Sequence, residues 1–89
     1  MKLITAKSSV NSVTTVAVQI WSSDATRVQG AVESSNDFAV GGSDLDSSNG
    51  LKILGGRPFI ISEAAAQAEL WAIATAGTIS VSAIEFKVL

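Results

Sequence analysis

The segment VGGSDLDSSNGL, residues 40–51, lies between two alternating apolar stretches of this 89-residue chain. Glycine adopts positive φ angles without steric cost, and Asp, Asn and Ser side chains hydrogen-bond to nearby backbone groups. The segment is therefore predicted to be a long, turn-rich loop that joins two β-strands.

Apolar and polar residues alternate through most of the chain, which is the pattern of half-buried β-strands. Turn residues interrupt the alternation every ~8–12 residues, a spacing typical of sandwiches and jelly rolls. After the N-terminal segment, strands are predicted at 13–21, 26–33, 38–40, 51–54, 57–62, 70–75 and 78–89. The fold class is therefore all-β: a single antiparallel β-sandwich, for which a small jelly roll of about eight strands is one form.

Three places in the pattern carry more specific predictions. Gly30 interrupts its strand and indicates a bulge or a point of close packing. Pro58 cannot donate a backbone hydrogen bond, so its strand should begin there or lie at a sheet edge. The Ala-rich segment 63–69 favours helix but lacks a strong cap, and we expect a helical turn or a loop that crosses between the sheets.

Two strands carry predictions about which side faces the core. Alternation from Val16 to Ile20 places Trp21 on the opposite side, either on the outer face or in a contact between subunits. In the last strand the apolar side changes between Ala83 and Ile84. This change predicts a bulge, or a strand that passes from one sheet to the other.

The length corresponds to one domain. We divide it into residues 1–11, an N-terminal strand or arm, and residues 12–89, the β-sandwich domain. An extended arm would add a strand to the sheet edge of a partner and gain backbone hydrogen bonds. The alternative is an ordinary first strand of the sandwich.

The composition predicts assembly. Hydrophobic residues make up 47% of the chain and charged residues 16%, against ~25% charged in typical soluble domains. A small domain cannot hide so many apolar side chains alone, so burial against neighbouring subunits is expected. The alternative is a neutral monomer surface of Ser, Thr, Ala and Gly.

Several classes of partner are not expected. The net charge is −2 and the six cations are scattered, so no nucleic acid partner is predicted. No run of 18 apolar residues predicts a membrane span, and the apolar part of the N-terminus is too short for a signal peptide. The absence of Cys excludes a disulfide framework and fits assembly in a reducing cytoplasm.

The chain offers little catalytic chemistry, because it contains no His, Cys or Tyr. No catalytic residue, cofactor or metal site is predicted, and the protein is not expected to be an enzyme. An EF-hand loop starting at Asp44 would need Gly sixth and Glu twelfth, where this chain has Asn49 and Gly55. An irregular calcium site using Asp44, Asp46 and Asn49 stays open, but an Asx-rich turn is the favoured interpretation.

Function is therefore expected at surfaces. The residues that we expect to contact a partner lie in the N-terminal segment, in the long loop and at two tryptophans: Lys2, Leu3, Ile4, Trp21, Leu45 and Trp71.

The order of short motifs in the second half of the chain adds an independent indication. VGGSD at 40–44, SNGL at 48–51, LWAI at 70–73 and GT at 77–78 follow one another, with a glycine turn before Phe59. In this order they resemble the small structural proteins of tailed-phage virions over roughly residues 38–89. Arg57-Pro58 and the Ala-rich segment 64–68 depart from the pattern.

The resemblance implies a β-sandwich that decorates a capsid. It implies a non-enzymatic decoration (cement) protein that binds the outer capsid surface and stabilises contacts between capsomers. Its partner would be the major capsid protein, its oligomeric state a homotrimer, and its location the virion surface after assembly in the host cytoplasm. The alternative is a receptor- or carbohydrate-binding accessory module of a phage fibre or tail, which would use Trp21 or Trp71 and the loop at 44–49.

Overall fold

A computed structural model describes residues 4–88. In this range the chain forms eight β-strands and a short 3-10 helix at Glu63–Gln67. The strands are β1 (Ile4–Val13), β2 (Val18–Trp21), β3 (Arg27–Glu33), β4 (Phe38–Gly41), β5 (Leu51–Ile53), β6 (Phe59–Ser62), β7 (Leu70–Ala74) and β8 (Ile79–Val88).

The strands form two antiparallel four-stranded sheets. Sheet A has the order β1-β8-β3-β6, and sheet B has the order β2-β7-β4-β5. The first strand therefore pairs with the last, the second with the seventh, the third with the sixth and the fourth with the fifth. A ribbon of four such pairs wound into two sheets is a jelly roll. The predicted antiparallel β-sandwich is confirmed.

The core lies between the two sheets, where alternate residues of each strand face inward. Sheet A contributes Val13, Val32, Val81 and Ala83, and sheet B contributes Phe38, Val40, Ile53, Leu70, Ala72 and Ala74. Trp21 of β2 and Ile79 of β8 complete this cluster.

Strand β6 and the segment after it agree with the sequence. Pro58 directly precedes β6, and β6 lies at an edge of sheet A, where a missing N–H costs nothing. The 3-10 helix then carries the chain from β6 in sheet A to β7 in sheet B. The predicted edge strand and the predicted helical turn between sheets are both confirmed.

The single strand predicted at 13–21 is wrong. Val13 ends β1, and a turn separates it from β2. In that turn the Thr14 hydroxyl accepts the N–H of Val16 at 3.1 Å. Strand β1 pairs with β8 through all ten of its residues and runs across the predicted boundary between residues 11 and 12. The described part of the N-terminal segment thus forms a first strand of the sandwich.

The prediction that Trp21 lies on the outer face is also wrong. The pairing of β2 with β7 shifts by one residue between Gln19 and Trp21. One extra residue reverses the side to which the next side chain points. Trp21 therefore faces the core and is only 5% exposed.

The predicted change of face within β8 does not occur. The pairing of β8 with β1 has no shift, so the odd-numbered residues from Ile79 onward all face inward. The shift lies instead on β3, between Arg27 and Gln29. The inward positions near the end of β8 hold Glu85 and Lys87, and the apolar residues Ile84, Phe86 and Val88 face outward.

The interpretation of Gly30 as a close-packing point is confirmed. Gly30 is buried on β3, and a Cβ built there would lie 2.5 Å from Cη2 of Trp21. The absence of a side chain at Gly30 thus makes room for the indole ring in the core.

We expect Gly30→Ala to destabilise the fold by about 1–3 kcal/mol, because the added methyl overpacks a rigid ring. The matched control is Gly42→Ala, where the nearest atom to a new Cβ is Asp44 Oδ1 at 3.5 Å; its effect should stay within about 0.5 kcal/mol. Urea unfolding measures both changes. Equal stability of the two variants would contradict the packing described here.

Candidate interaction surface

One end of the sandwich holds a buried ion pair. Arg27 is 1% exposed, and its Nε and Nη2 lie 2.8 and 2.7 Å from Oε1 of Glu85. Its Nη2 also donates to the Ser22 carbonyl at 2.7 Å, and its Nη1 donates to the Ala66 carbonyl at 2.9 Å. The guanidinium therefore links β3, β8, the 3-10 helix and the residue that directly follows β2.

The indole of Trp21 completes this cluster. The Arg27 guanidinium carbon lies 4.7 Å from the ring centroid, which is within the range of a cation–π contact. The indole N–H donates to the Ala68 carbonyl at 3.1 Å. The face of the ring contacts the guanidinium and its N–H group is hydrogen-bonded, which explains why Trp21 is stable in the core.

A second ion pair lies beside the first at the surface. Lys87 Nζ is 2.9 Å from Asp24 Oδ2 and 3.8 Å from Glu85 Oε1. Hydrogen bonds from Thr26 and from Lys87 hold the pKa of Asp24 far below its ordinary range. The hydrogen bond to Asp24 raises the pKa of Lys87. Both groups are therefore charged across the whole neutral range.

The charged residues of this cluster bond to groups of the same chain. Within residues 4–88 every buried side-chain N or O atom has a hydrogen-bond partner. A catalytic site needs a group that is free to reach a substrate, and the Arg27 donors already bind this chain. The cluster is a structural tie between strands.

The long loop folds back onto sheet B. Leu45 is buried at 6% exposure, and a Cβ built on Gly41 or Gly50 would lie 3.1 or 2.5 Å from its Cδ1. Ile73, on the outer side of β7 opposite Ala39, is also buried. The expectation that Leu45 contacts a partner has a physical obstacle, since its side chain already packs within its own chain.

The polar residues of the loop bond to one another. Asp46 accepts hydrogen bonds from the N–H and hydroxyl of Ser48 at 2.8 and 2.6 Å, which lower the Asp46 pKa. Asn49 accepts the N–H of Asp46 at 2.9 Å and donates to the Asp44 carbonyl at 3.1 Å. These are the bonds of an Asx-rich turn. In the part of the chain described, no three acidic side chains come close enough to hold a metal ion.

The outer side of sheet A is different, because apolar side chains are exposed there. The register places alternate residues of its four strands on this side. Three of them are among the most exposed large apolar residues of the described range: Ile4 at 60%, Val10 at 74% and Ile60 at 60%. We use the term apolar face for Ile4, Val10, Ile60, Ile84, Phe86 and Val88.

A groove crosses the apolar face. Its volume is about 580 Å³, and it is lined by β1, β3 and β8 together with Pro58, which precedes β6. Val10, Ala31 and Ile84 form its apolar wall and Glu33 lies at one margin. No segment in residues 4–88 folds over this side in the way that the loop folds over sheet B.

Strand β1 adds an open backbone edge to this side. Of the four edge strands, β2 has four residues and a bulge, β5 has three residues, and β6 has four residues after a proline. Short strands, bulges and prolines are the usual protections against unwanted strand pairing. Strand β1 has ten residues and pairs without a shift, so its free edge lacks these three protections, and Lys7 is its one charged residue.

The structure separates the residues that the sequence suggested for partner contacts. Lys2 and Leu3 lie outside the described residues. Ile4 is on the apolar face, whereas Trp71 is half-buried on the outer side of sheet B, where its indole N–H donates to Glu69 at 3.1 Å. The sequence reasoning missed Val10, Ile60 and the outward residues of β8. The alternation of Ile84, Phe86 and Val88 is evident in the sequence, but it was interpreted as a core-facing side.

Comparison of the chain with protein-family models, curated proteins and solved structures finds no match. No helix in the described range is long and apolar enough to span a membrane.

We expect Arg27→Met to destabilise the protein by about 3–5 kcal/mol, because it removes both close contacts to the buried Glu85 carboxylate and leaves Lys87, 3.8 Å away, as its cation. The matched control is Arg57→Met at an exposed position, which should change stability by less than about 0.5 kcal/mol.

The double variant Arg27→Met/Glu85→Leu should recover part of the loss, since neither charge is then buried alone. Urea unfolding at neutral pH compares the four proteins. An Arg27→Met variant as stable as the wild type would refute the structural role of the pair.

Proposed function

We propose that this chain is a non-enzymatic phage virion protein that decorates the outer capsid surface and stabilises contacts between capsomers. The observation that carries the proposal is the free edge of β1 beside the apolar face. An open strand edge and an exposed apolar sheet face are the distinctive surface features of the described residues, and both suit contacts with other chains. The motif order of the second half is the independent support.

The contact that we propose with the major capsid protein is strand addition at β1. An extended segment of the capsid protein would pair with the free backbone groups of β1, which gives affinity with little demand on sequence. Residues 4–8 of β1 are exposed and lie outside the core. Many copies on one shell would turn weak single contacts into firm attachment through avidity.

A homotrimer remains part of the proposal. Cyclic assembly buries surplus apolar surface, and a threefold unit fits the threefold positions of an icosahedral shell. We place the assembled protein on the virion surface, after folding in the host cytoplasm.

A second candidate is a receptor- or carbohydrate-binding module of a fibre or tail. The observation that favours it is Trp71, whose half-buried ring lies on the outer side of sheet B opposite Gly41, close to the polar loop. Aromatic rings with nearby polar groups are common in binding sites. The bonds within the loop weigh against it, because they occupy Asp46 and Asn49. A glycan array tests this candidate.

The test of the proposal is co-sedimentation with undecorated capsids of the phage that encodes the chain. We expect the full-length protein to pellet with the capsids. A variant lacking residues 1–7 should keep its circular dichroism spectrum, because Val13 still enters the core, and should lose capsid binding. Full-length protein that stays in the supernatant would contradict the function. Truncated protein that folds and still pellets would contradict the role of residues 4–7 of β1.

A further inference from the structure

The apolar face is arranged in rows across sheet A. The register aligns Ser8, Ile84, Ala31 and Ile60 in one row that crosses all four strands. On one side the next rows hold Ala6 with Phe86 and then Ile4 with Val88; on the other side the next row holds Val10, Ser82 and Glu33. Ile84 is therefore central, with apolar or small residues on both sides.

This side of the sheet is almost free of charge. The register places fifteen described residues on it, and Glu33 alone among them is charged. The positions are Ile4, Ala6, Ser8, Val10, Ser12, Gln29, Ala31, Glu33, Ile60, Ser62, Ser80, Ser82, Ile84, Phe86 and Val88. Two identical faces of this kind do not repel each other, because like charges are nearly absent from them.

The face also has a suitable size. Strands of 10, 10, 7 and 4 residues, at ~3.3 Å per residue and ~4.8 Å per strand, give it a flat area of roughly 500 Å². Its accessible area is larger, because side chains protrude from the plane. A standard stable interface buries ~800 Å² per partner, so an assembly held by this face would use most of its accessible area.

We propose that the apolar face is the contact surface between copies of this chain. In a threefold assembly the three faces line the axis, and the outward rows of each copy pack partly against one neighbour and partly against the other. This assignment deepens the proposed function, since it names the surface that holds together the oligomer on which that function rests.

The low charge selects a second copy over a different partner. In interfaces between different proteins, complementary charges commonly fix the relative position of the partners. The apolar face offers only one charged group for this purpose, the Glu33 carboxylate. Interfaces of homodimers are more apolar than those of transient complexes. A second copy of the same face fits both observations, because it is also nearly uncharged and also apolar.

The experiment measures oligomer mass by sedimentation equilibrium at micromolar concentration. The variants are Ile84→Glu at the centre of the face and Ile60→Glu in the same row at a more exposed position. The control is Gln19→Glu, which adds the same charge to an exposed position on the outer side of sheet B. Circular dichroism confirms that each variant is folded.

We expect the wild type and Gln19→Glu to give the mass of an oligomer, and the two face variants to approach the 9.1 kDa of one chain. A charge buried at a central contact should weaken association at least about 30-fold, as loss of a hot-spot residue does. If Ile84→Glu does not fold, the mass of the Ile60→Glu variant tests the proposal.

A wild-type mass of 9.1 kDa, or folded face variants that stay oligomeric, would overturn the proposal. Capsid co-sedimentation is a separate readout. If the face variants dissociate as expected but the wild-type oligomer does not bind capsids, the apolar face is supported as the contact between copies. That result would contradict only the decoration function.

Discussion

The buried pair of Arg27 and Glu85 sets the arrangement of this jelly roll. Burying two charges costs free energy unless hydrogen bonds satisfy them. Here carbonyls of Ser22 and Ala66 accept from the guanidinium, and the Trp21 ring covers it. These partners come from strands in both sheets and from the crossing helix, so the pair can form only when all of them are in place. It joins residues 58 positions apart in the chain.

This pair has a direct effect on the surface. Because Glu85 occupies an inward position of β8, its neighbours Ile84 and Phe86 must face outward. The core loses apolar side chains at this end and the outer side of sheet A gains them. On the outer side of sheet B, Leu45 and Ile73 are buried, and the exposed apolar residues Leu51 and Leu54 lie in and directly after the three-residue edge strand β5. The contiguous apolar rows of sheet A are therefore the side that we propose meets partners.

The sequence predicted the architecture well, because alternation and turn residues are local signals. The Asx-rich loop, the edge position of β6 and the crossing between sheets all followed from the chemistry of a few residues. The side assignment of Trp21 failed for a physical reason. A single-residue bulge, as before Trp21, leaves the alternating pattern almost unchanged in the sequence but reverses every later side chain.

The apolar face could not be predicted for a different reason. Alternation shows that Ile84, Phe86 and Val88 share a side, but it does not show which side is the core. That choice depends on the pairing of Glu85 with Arg27, which is a tertiary contact. The rule that apolar residues lie inside then gave the wrong side for these three residues, and with it a change of face that the strand does not have.

The most direct test of the central claim, that this chain acts through the sheet A side, is amide hydrogen exchange with and without undecorated capsids. Peptides covering β1 should exchange faster in the free protein, because the free edge leaves backbone N–H groups unpaired, and should become protected on the capsid. Peptides covering the loop at 42–50 should be unchanged. Protection confined to that loop and β7, with β1 unaffected, would contradict the account.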